Sequence, residues 1–82
     1  MMHEGPHYYV VAYDRRTTRQ RQLIEVRPRL RERVALALGI EPWEWGEIAL
    51  GADQVRTLAG IMDFAPDLER YLYHFEVMRN DG

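Results

Sequence analysis

The 82-residue chain lacks three residue types entirely: cysteine, lysine and serine. The absence of cysteine excludes disulfides, thiolate metal ligands and a cysteine nucleophile, and nothing else in the chain points to an oxidising compartment. The absence of serine and lysine excludes a serine nucleophile, a Schiff-base lysine and the lysine of a phosphate-binding loop. The residue inventory therefore favours a binding function over catalysis.

Long hydrophobic runs are also missing. The longest uninterrupted apolar run covers residues 8–13 if tyrosine is counted and residues 34–38 if it is not, whereas a membrane-spanning helix needs about 20 apolar residues. Residues 1–6 lack the basic-then-apolar order of a secretory signal,. We therefore expect a cytoplasmic protein without membrane association, folded as one domain over residues 1–82, with residues 1–6 disordered.

The charges of the chain are separated along the sequence, although the net charge is only −2. Residues 1–40 contain eight arginines and four carboxylates, a balance of +4, while residues 41–82 contain three arginines and nine carboxylates, a balance of −6. Such asymmetry is typical of a protein with a charged partner, and solvated surfaces show it too. Each half therefore supplies its own hypothesis about function.

The first part of the chain predicts a β-hairpin over residues 7–27. Residues 7–14 are rich in aromatic and β-branched side chains on both faces, which favours a strand inside a sheet,. Asp14 opens a polar turn, and the alternation that follows from Gln20 predicts a second strand,. Pro28 then suits the first turn of a helix whose apolar stripe ends at Gly39,.

The second part of the chain is less regular. Residues 41–46 form a predicted loop, residues 47–50 fit a short strand, and a second helix is expected from Gly51,. Residues 68–78 fit a helix or a strand, and their aromatic enrichment favours the strand,. The predicted fold is α+β: a small antiparallel sheet of the N-terminal hairpin and a C-terminal strand, with residues 47–50 as an optional middle strand, packed against two helices.

Candidate catalytic and metal-binding groups are few. Thr17 and Thr18 are better explained as turn residues, and the spacing of His3, His7 and His74 matches no zinc motif,. No pair of carboxylates is fixed by spacing on one element, as general acid–base catalysis would need. We therefore expect no catalytic residues, no metal and no cofactor.

Nucleic-acid binding is the alternative hypothesis, because arginines crowd the hairpin and the start of the first helix. A ribbon next to a helix end can contact phosphates, and tyrosines of the same sheet can stack on bases. The acidic pI of about 5.9 and the absence of any known nucleic-acid-binding signature count against it,. The residues of this alternative are Arg15, Arg16, Arg19, Arg21, Arg29 and Arg33.

Protein binding is the favoured hypothesis, because the acidic half places two tryptophans among carboxylates. Aromatic anchors surrounded by acidic residues complement a basic partner, since charge raises the association rate and aromatic side chains supply the binding energy. The opposing interpretation is that both tryptophans fill the small core. The predicted anchors are Trp43, Trp45 and Tyr73, and the predicted steering residues are Glu41, Glu44, Glu47, Asp53 and Asp67.

The order of the motifs is similar to that of a family of small, uncharacterised bacterial α+β proteins. The matching segments are YYVVAYD at 8–14, Thr17-Thr18, IEV at 24–26, IAL at 48–50, ADQV at 52–55 and DLERYLYHFE at 67–76. They cover most of the chain and consist of structural residues. The resemblance therefore carries over no functional residue.

Small acidic proteins of this kind look like immunity proteins, which neutralise secreted or contact-delivered bacterial toxins, as in contact-dependent growth inhibition. Many such toxins are nucleases with basic clefts, so the resemblance implies a basic toxin as partner and inhibition by covering its active site or substrate surface. The arginine-rich hairpin departs from a uniformly acidic immunity protein. A subunit or adaptor of a larger assembly is a third interpretation that the sequence does not separate from the first.

Overall fold

A computed structural model gives the fold of residues 7–39 and 46–78. The expected disorder of residues 1–6 and the predicted loop residues Glu41, Trp43, Glu44 and Trp45 lie outside this described part. Within it the elements follow the order β1 His7–Asp14, β2 Gln20–Glu25, a 3-10 helix Pro28–Leu30, α1 Arg31–Leu38, β3 Glu47–Ala49, α2 Ala52–Met62 and β4 Tyr71–Met78.

The described strands form one antiparallel sheet in the order β2-β1-β4-β3, which confirms the predicted α+β fold. β1 lies inside the sheet, as its two apolar faces predict. The last segment is a strand, and it pairs with β1 from His7↔Met78 to Asp14↔Tyr71 and with β3 from Glu47↔Glu76 to Ala49↔His74. The C-terminal strand therefore lies between elements that come much earlier in the chain.

The turn of the β1–β2 hairpin is organised by Asp14. Its carboxylate accepts hydrogen bonds from the backbone N–H groups of Arg16 at 2.7 Å and Thr17 at 3.1 Å. Thr18 adopts a left-handed conformation with φ of 60°, and the Asp14 N–H donates to the Arg19 carbonyl across the turn. This local bonding lets an all-polar turn connect the two strands.

The two helices begin and end with recognisable signals. Pro28 opens a 3-10 turn rather than the α-helix itself, which starts at Arg31. Arg31 and Arg33 still lie in the first turn of α1, where the helix dipole favours anions, and Glu32 is the acidic residue there,. α1 ends at Leu38 and is capped by Gly39 with φ of 71°, and α2 begins after its N-cap Gly51, whose N–H donates to the Gln54 side chain at 2.8 Å.

The hydrophobic core lies on one face of the sheet. Both helices contribute to it, with Val34 from α1 and Val55 and Leu58 from α2. The complete cluster of buried residues consists of Tyr8, Val10, Ala12, Val26, Val34, Val55, Leu58, Tyr73 and Phe75. Among residues 7–39 and 46–78, no helix is both long enough and apolar enough to cross a membrane.

Candidate functional site

The face of the sheet opposite the core is the first candidate site, and we call it the outer face. Directly paired residues on antiparallel strands point to the same side of the sheet. The strand register therefore assigns thirteen positions to the outer face: His7, Tyr9, Val11 and Tyr13 of β1, Gln20, Leu23 and Glu25 of β2, Glu47 and Ala49 of β3, and Leu72, His74, Glu76 and Met78 of β4.

The outer face exposes large apolar side chains. Leu23, Leu72 and Met78 keep 47%, 40% and 36% of their surface accessible. Val11, in contrast, is 0% exposed, although it is not part of the core cluster under the helices. Because both helices lie on the other side, no described helix covers this face.

A polar network crosses the middle of the outer face. Glu47 and Glu76 are direct cross-strand partners, and Glu47 Oε2 contacts His74 Nδ1. The Tyr13 hydroxyl donates a hydrogen bond to Glu76 Oε2, and the Tyr13 and His74 rings meet edge to face with centroids 5.1 Å apart. The network thus joins three strands through side chains.

The pKa of Tyr13 reflects this network. The hydrogen bond to Glu76 favours the neutral phenol, and burial and the charges of Glu76 and Glu47 act in the same direction,. Together they raise the pKa of Tyr13 from 10.0 to about 12. The Tyr13 hydroxyl therefore acts as a hydrogen-bond donor over the whole physiological range.

The charge of the outer face is negative. Glu25 is the third carboxylate of the face, after Glu47 and Glu76, and its Oε2 lies 3.5 Å from His7 Nδ1. No arginine stands at any of the thirteen paired positions that define the face, and Arg21 lies unpaired at the register shift between Gln20 and Gln22. The outer face therefore combines three carboxylates, two tyrosines and exposed apolar side chains.

A cleft of about 580 Å³ at one end of the sheet is the second candidate site. It forms where the β1–β2 turn meets the segment between α2 and β4. Arg15 holds the two together, because its Nε donates to the Leu68 carbonyl at 3.0 Å and its backbone N–H donates to the Arg70 carbonyl at 3.0 Å. The cleft is lined by Asp14, Arg15, Arg16, Arg21, Asp67, Glu69, Arg70 and Tyr71.

The charge of the cleft is mixed, with four arginines and three carboxylates. The N–H groups of Thr17 and Arg16 stabilise the Asp14 carboxylate and lower its pKa, and the nearby charges of Arg21 and Arg16 act in the same direction,. The cleft therefore does not have the uniformly positive surface that tracks a nucleic-acid backbone.

The predicted acidic residues occupy separate places. Glu47 lies on the outer face, Asp67 lines the cleft, and Asp53 lies in the first turn of α2 with its carboxylate 3.1 Å from Arg56. Tyr73 is 2% exposed, and its hydroxyl accepts a hydrogen bond from the Asp67 N–H at 2.9 Å. Tyr73 is therefore a core residue, and we leave it out of any binding surface.

The arginines of the alternative hypothesis are also divided. Arg15, Arg16 and Arg21 come together in the cleft, where Arg70 joins them. Arg29 belongs to the 3-10 helix and Arg33 to α1, and neither these two nor Arg19 lines the cleft. The cleft therefore contains only part of the arginine-rich stretch.

Several residues of the outer face were not singled out by sequence reasoning, including Tyr13, Glu25 and Glu76. The alternation of β1 and β4 was the available signal, because it places every second residue on one face. No protein-family model, no curated protein and no solved structure matches this chain.

Proposed function

We propose that this protein is a non-enzymatic binding protein whose outer face binds a basic surface of another protein. The observation that carries the proposal is the composition of that face: three carboxylates, no arginine at its paired positions, and exposed Leu23, Leu72 and Met78. Opposite charge on the partner would steer association, and the apolar and aromatic side chains would supply contact area.

The geometry of the face fits the anatomy of protein interfaces. Aromatic residues and methionine are enriched at interface centres, while charged residues belong to the rim. Tyr9 and Tyr13 lie on the inner strand β1 and Glu76 on the inner strand β4, whereas Glu25 and Glu47 lie on the two outer strands β2 and β3. A partner would meet a centre of two tyrosines and one carboxylate, with a further carboxylate on each side.

The more specific proposal is that the partner is a bacterial toxin and that this chain is an immunity protein acting in the cytoplasm. The sequence resemblance to toxin-neutralising proteins supports it, and so does the complementarity between the outer face and the basic cleft of a nuclease. Inhibition would follow from covering the cleft or the surface that receives substrate. The absence of cysteine agrees with a reducing compartment,.

The experiment compares matched arginine substitutions on and off the outer face. Glu25→Arg and Leu72→Arg change exposed residues of the face, while Glu32→Arg and Leu36→Arg change exposed residues of α1. Tagged proteins are used to capture partners from the source cells, and the affinity of a captured protein is then measured with each purified variant. We expect both face variants to weaken binding at least about tenfold, because like charges across an interface cost several kcal/mol, and both α1 variants to bind normally.

Equal binding by all four variants would contradict the proposal that the outer face is the binding site. If the tagged protein captures nucleic acid and no stoichiometric protein, and if Arg16→Ala and Arg21→Ala abolish this capture, the result would favour nucleic-acid binding at the cleft, which is the alternative hypothesis. A captured enzyme or secreted toxin whose activity is blocked by the wild-type protein, and not by Leu72→Arg, would support the immunity proposal.

A further inference from the structure

Three side chains on the outer face offer the ligands of a metal site. One ligand atom each from Glu47, His74 and Glu76 lies within 4.8 Å of the other two. His74 and Glu76 alternate on β4, and β3 brings Glu47 beside them through the Glu47↔Glu76 register. The three groups are therefore held by paired backbone, which is a rigid support for ligands.

The charge arrangement favours a cation at this position. Two carboxylates directly opposite each other on neighbouring strands repel, which destabilises a sheet. No arginine among the described residues forms an ion pair with Glu47 or Glu76, which contact His74 and Tyr13 respectively. A divalent ion bound between the two carboxylates would remove the repulsion.

The donor set favours zinc over magnesium or calcium. One imidazole nitrogen with two carboxylate oxygens is a ligand combination that zinc accepts, whereas magnesium and calcium prefer oxygen ligands alone. Ligand atoms about 2.1 Å from a tetrahedral zinc lie about 3.4 Å from each other. Side-chain rotation on the fixed strands is enough to reach that spacing from the present one.

Tyr13 is placed to orient one ligand. Its hydroxyl donates to Glu76 Oε2, which leaves Oε1 of the same carboxylate free to face an ion. Hydrogen bonds of this kind hold metal-ligating carboxylates in position. His74 is half-buried and Glu47 is exposed, so an ion bound to them would keep an open coordination position toward solvent.

We propose that Glu47, His74 and Glu76 form a zinc-binding site on the outer face. The site holds Zn²⁺ through His74 Nδ1 and one oxygen of each carboxylate, with water in the fourth position. It is a property of the isolated chain and does not depend on the proposed partner protein. A bound zinc ion would reduce the negative charge of the face.

The test is calorimetric titration of Zn²⁺ into the untagged, chelator-treated protein at neutral pH. We expect one zinc ion per chain, with binding weakened at least about tenfold by His74→Gln and by Glu47→Gln. Tyr13→Phe should weaken it less, since Tyr13 orients a ligand without touching the ion. A double substitution, His3→Gln with His7→Gln, removes the other histidines and should leave the affinity unchanged.

Two results would overturn the zinc site. The first is the absence of stoichiometric binding by the wild-type protein, and the second is equal affinity in the wild-type protein and in His74→Gln, which would assign the zinc to other groups. Circular dichroism of each variant verifies folding, and Glu47→Gln provides a test at an exposed position. Binding of Co²⁺ in place of zinc gives an independent readout, because the visible absorption of Co²⁺ reports a tetrahedral site. We expect this absorption in the wild-type protein and not in His74→Gln.

Discussion

Val10 and Val11 are consecutive residues of β1 that are both 0% exposed, yet they lie on opposite faces of the sheet. Val10 belongs to the core cluster with Val34, Val55 and Leu58 of the two helices, whereas Val11 lies on the outer face beside its register partners Leu23 and His74. Replacing each valine by threonine keeps its shape and its preference for strands while exchanging one methyl for a hydroxyl. The pair of variants therefore tests how open the outer face is.

The expected costs differ because the two hydroxyls meet different surroundings. At Val10 the hydroxyl is buried under the helices, so the loss of a methyl, about 0.8 kcal/mol, adds to an unpartnered hydroxyl, about 1–3 kcal/mol. We expect Val10→Thr to lower the free energy of unfolding by about 2–4 kcal/mol, or Tm by about 10–30 °C for a domain of this size. At Val11 the hydroxyl needs only a small movement of the 47% exposed Leu23 to reach water, so Val11→Thr should cost less than about 1 kcal/mol.

Urea unfolding followed by far-ultraviolet circular dichroism measures both costs, and equal m-values would show that the two variants unfold from the same native state. The wild-type free energy of unfolding should be roughly 4–12 kcal/mol for a chain of 82 residues,, so a difference of 1–2 kcal/mol between variants is measurable. A loss at Val11→Thr as large as at Val10→Thr would refute the reasoning. It would mean that another layer of chain covers the outer face, and the proposed binding surface would be withdrawn.

Three further predictions concern local groups. Glu76→Gln should lower the pKa of Tyr13 from about 12 toward its ordinary value in an ultraviolet titration. In the wild-type protein, the neutral Tyr13 phenol contributes stability that is fully present below pH about 10. This contribution should disappear as the pH rises through about 12,. Asp14→Ala should lower Tm at neutral pH, and Asp14→Asn should lower it less because an amide oxygen can still accept both turn hydrogen bonds. The folded protein lowers the pKa of Asp14. The Tm difference between wild type and Asp14→Ala should therefore shrink once the pH falls below the ordinary aspartate range and through the lowered pKa. Asp63 ends α2 with φ of 65°, so Asp63→Gly should raise the free energy of unfolding by up to about 1 kcal/mol in urea denaturation, and no change or a loss would contradict this account,.

The elements defined by local patterns could be predicted from the sequence. The hairpin is encoded by alternation and by Asp14, and α2 by its apolar spacing and the Gly51 start. The segment 68–78 fitted two periodicities, because aromatic residues recur at both spacings. Pairing with β1 and β3 makes Tyr71–Met78 a strand, and that pairing is a tertiary effect that no local pattern contains.

The candidate site was less predictable than the fold. His74 and Glu76 are two residues apart, so a strand places them on one face without further information. Glu47 joins them only through the register of β3 on β4, which depends on how the whole sheet assembles. Tyr73 was predicted as a binding anchor, but it lies on the same face of β4 as Phe75, and the structure buries it in the core. The predicted tryptophan anchors lie outside the described residues, so that hypothesis stays a prediction.

The position of β4 between β1 and β3 has a consequence for synthesis of the chain on the ribosome. β1 leaves the exit tunnel early, but its second neighbour is made only after α1, β3 and α2. Until then the hairpin carries an unpaired, strongly apolar edge, and exposed edges of this kind pair with other chains and aggregate. The sheet closes only after β4 has left the tunnel, so chaperones that shield the waiting hairpin should raise the yield of folded protein.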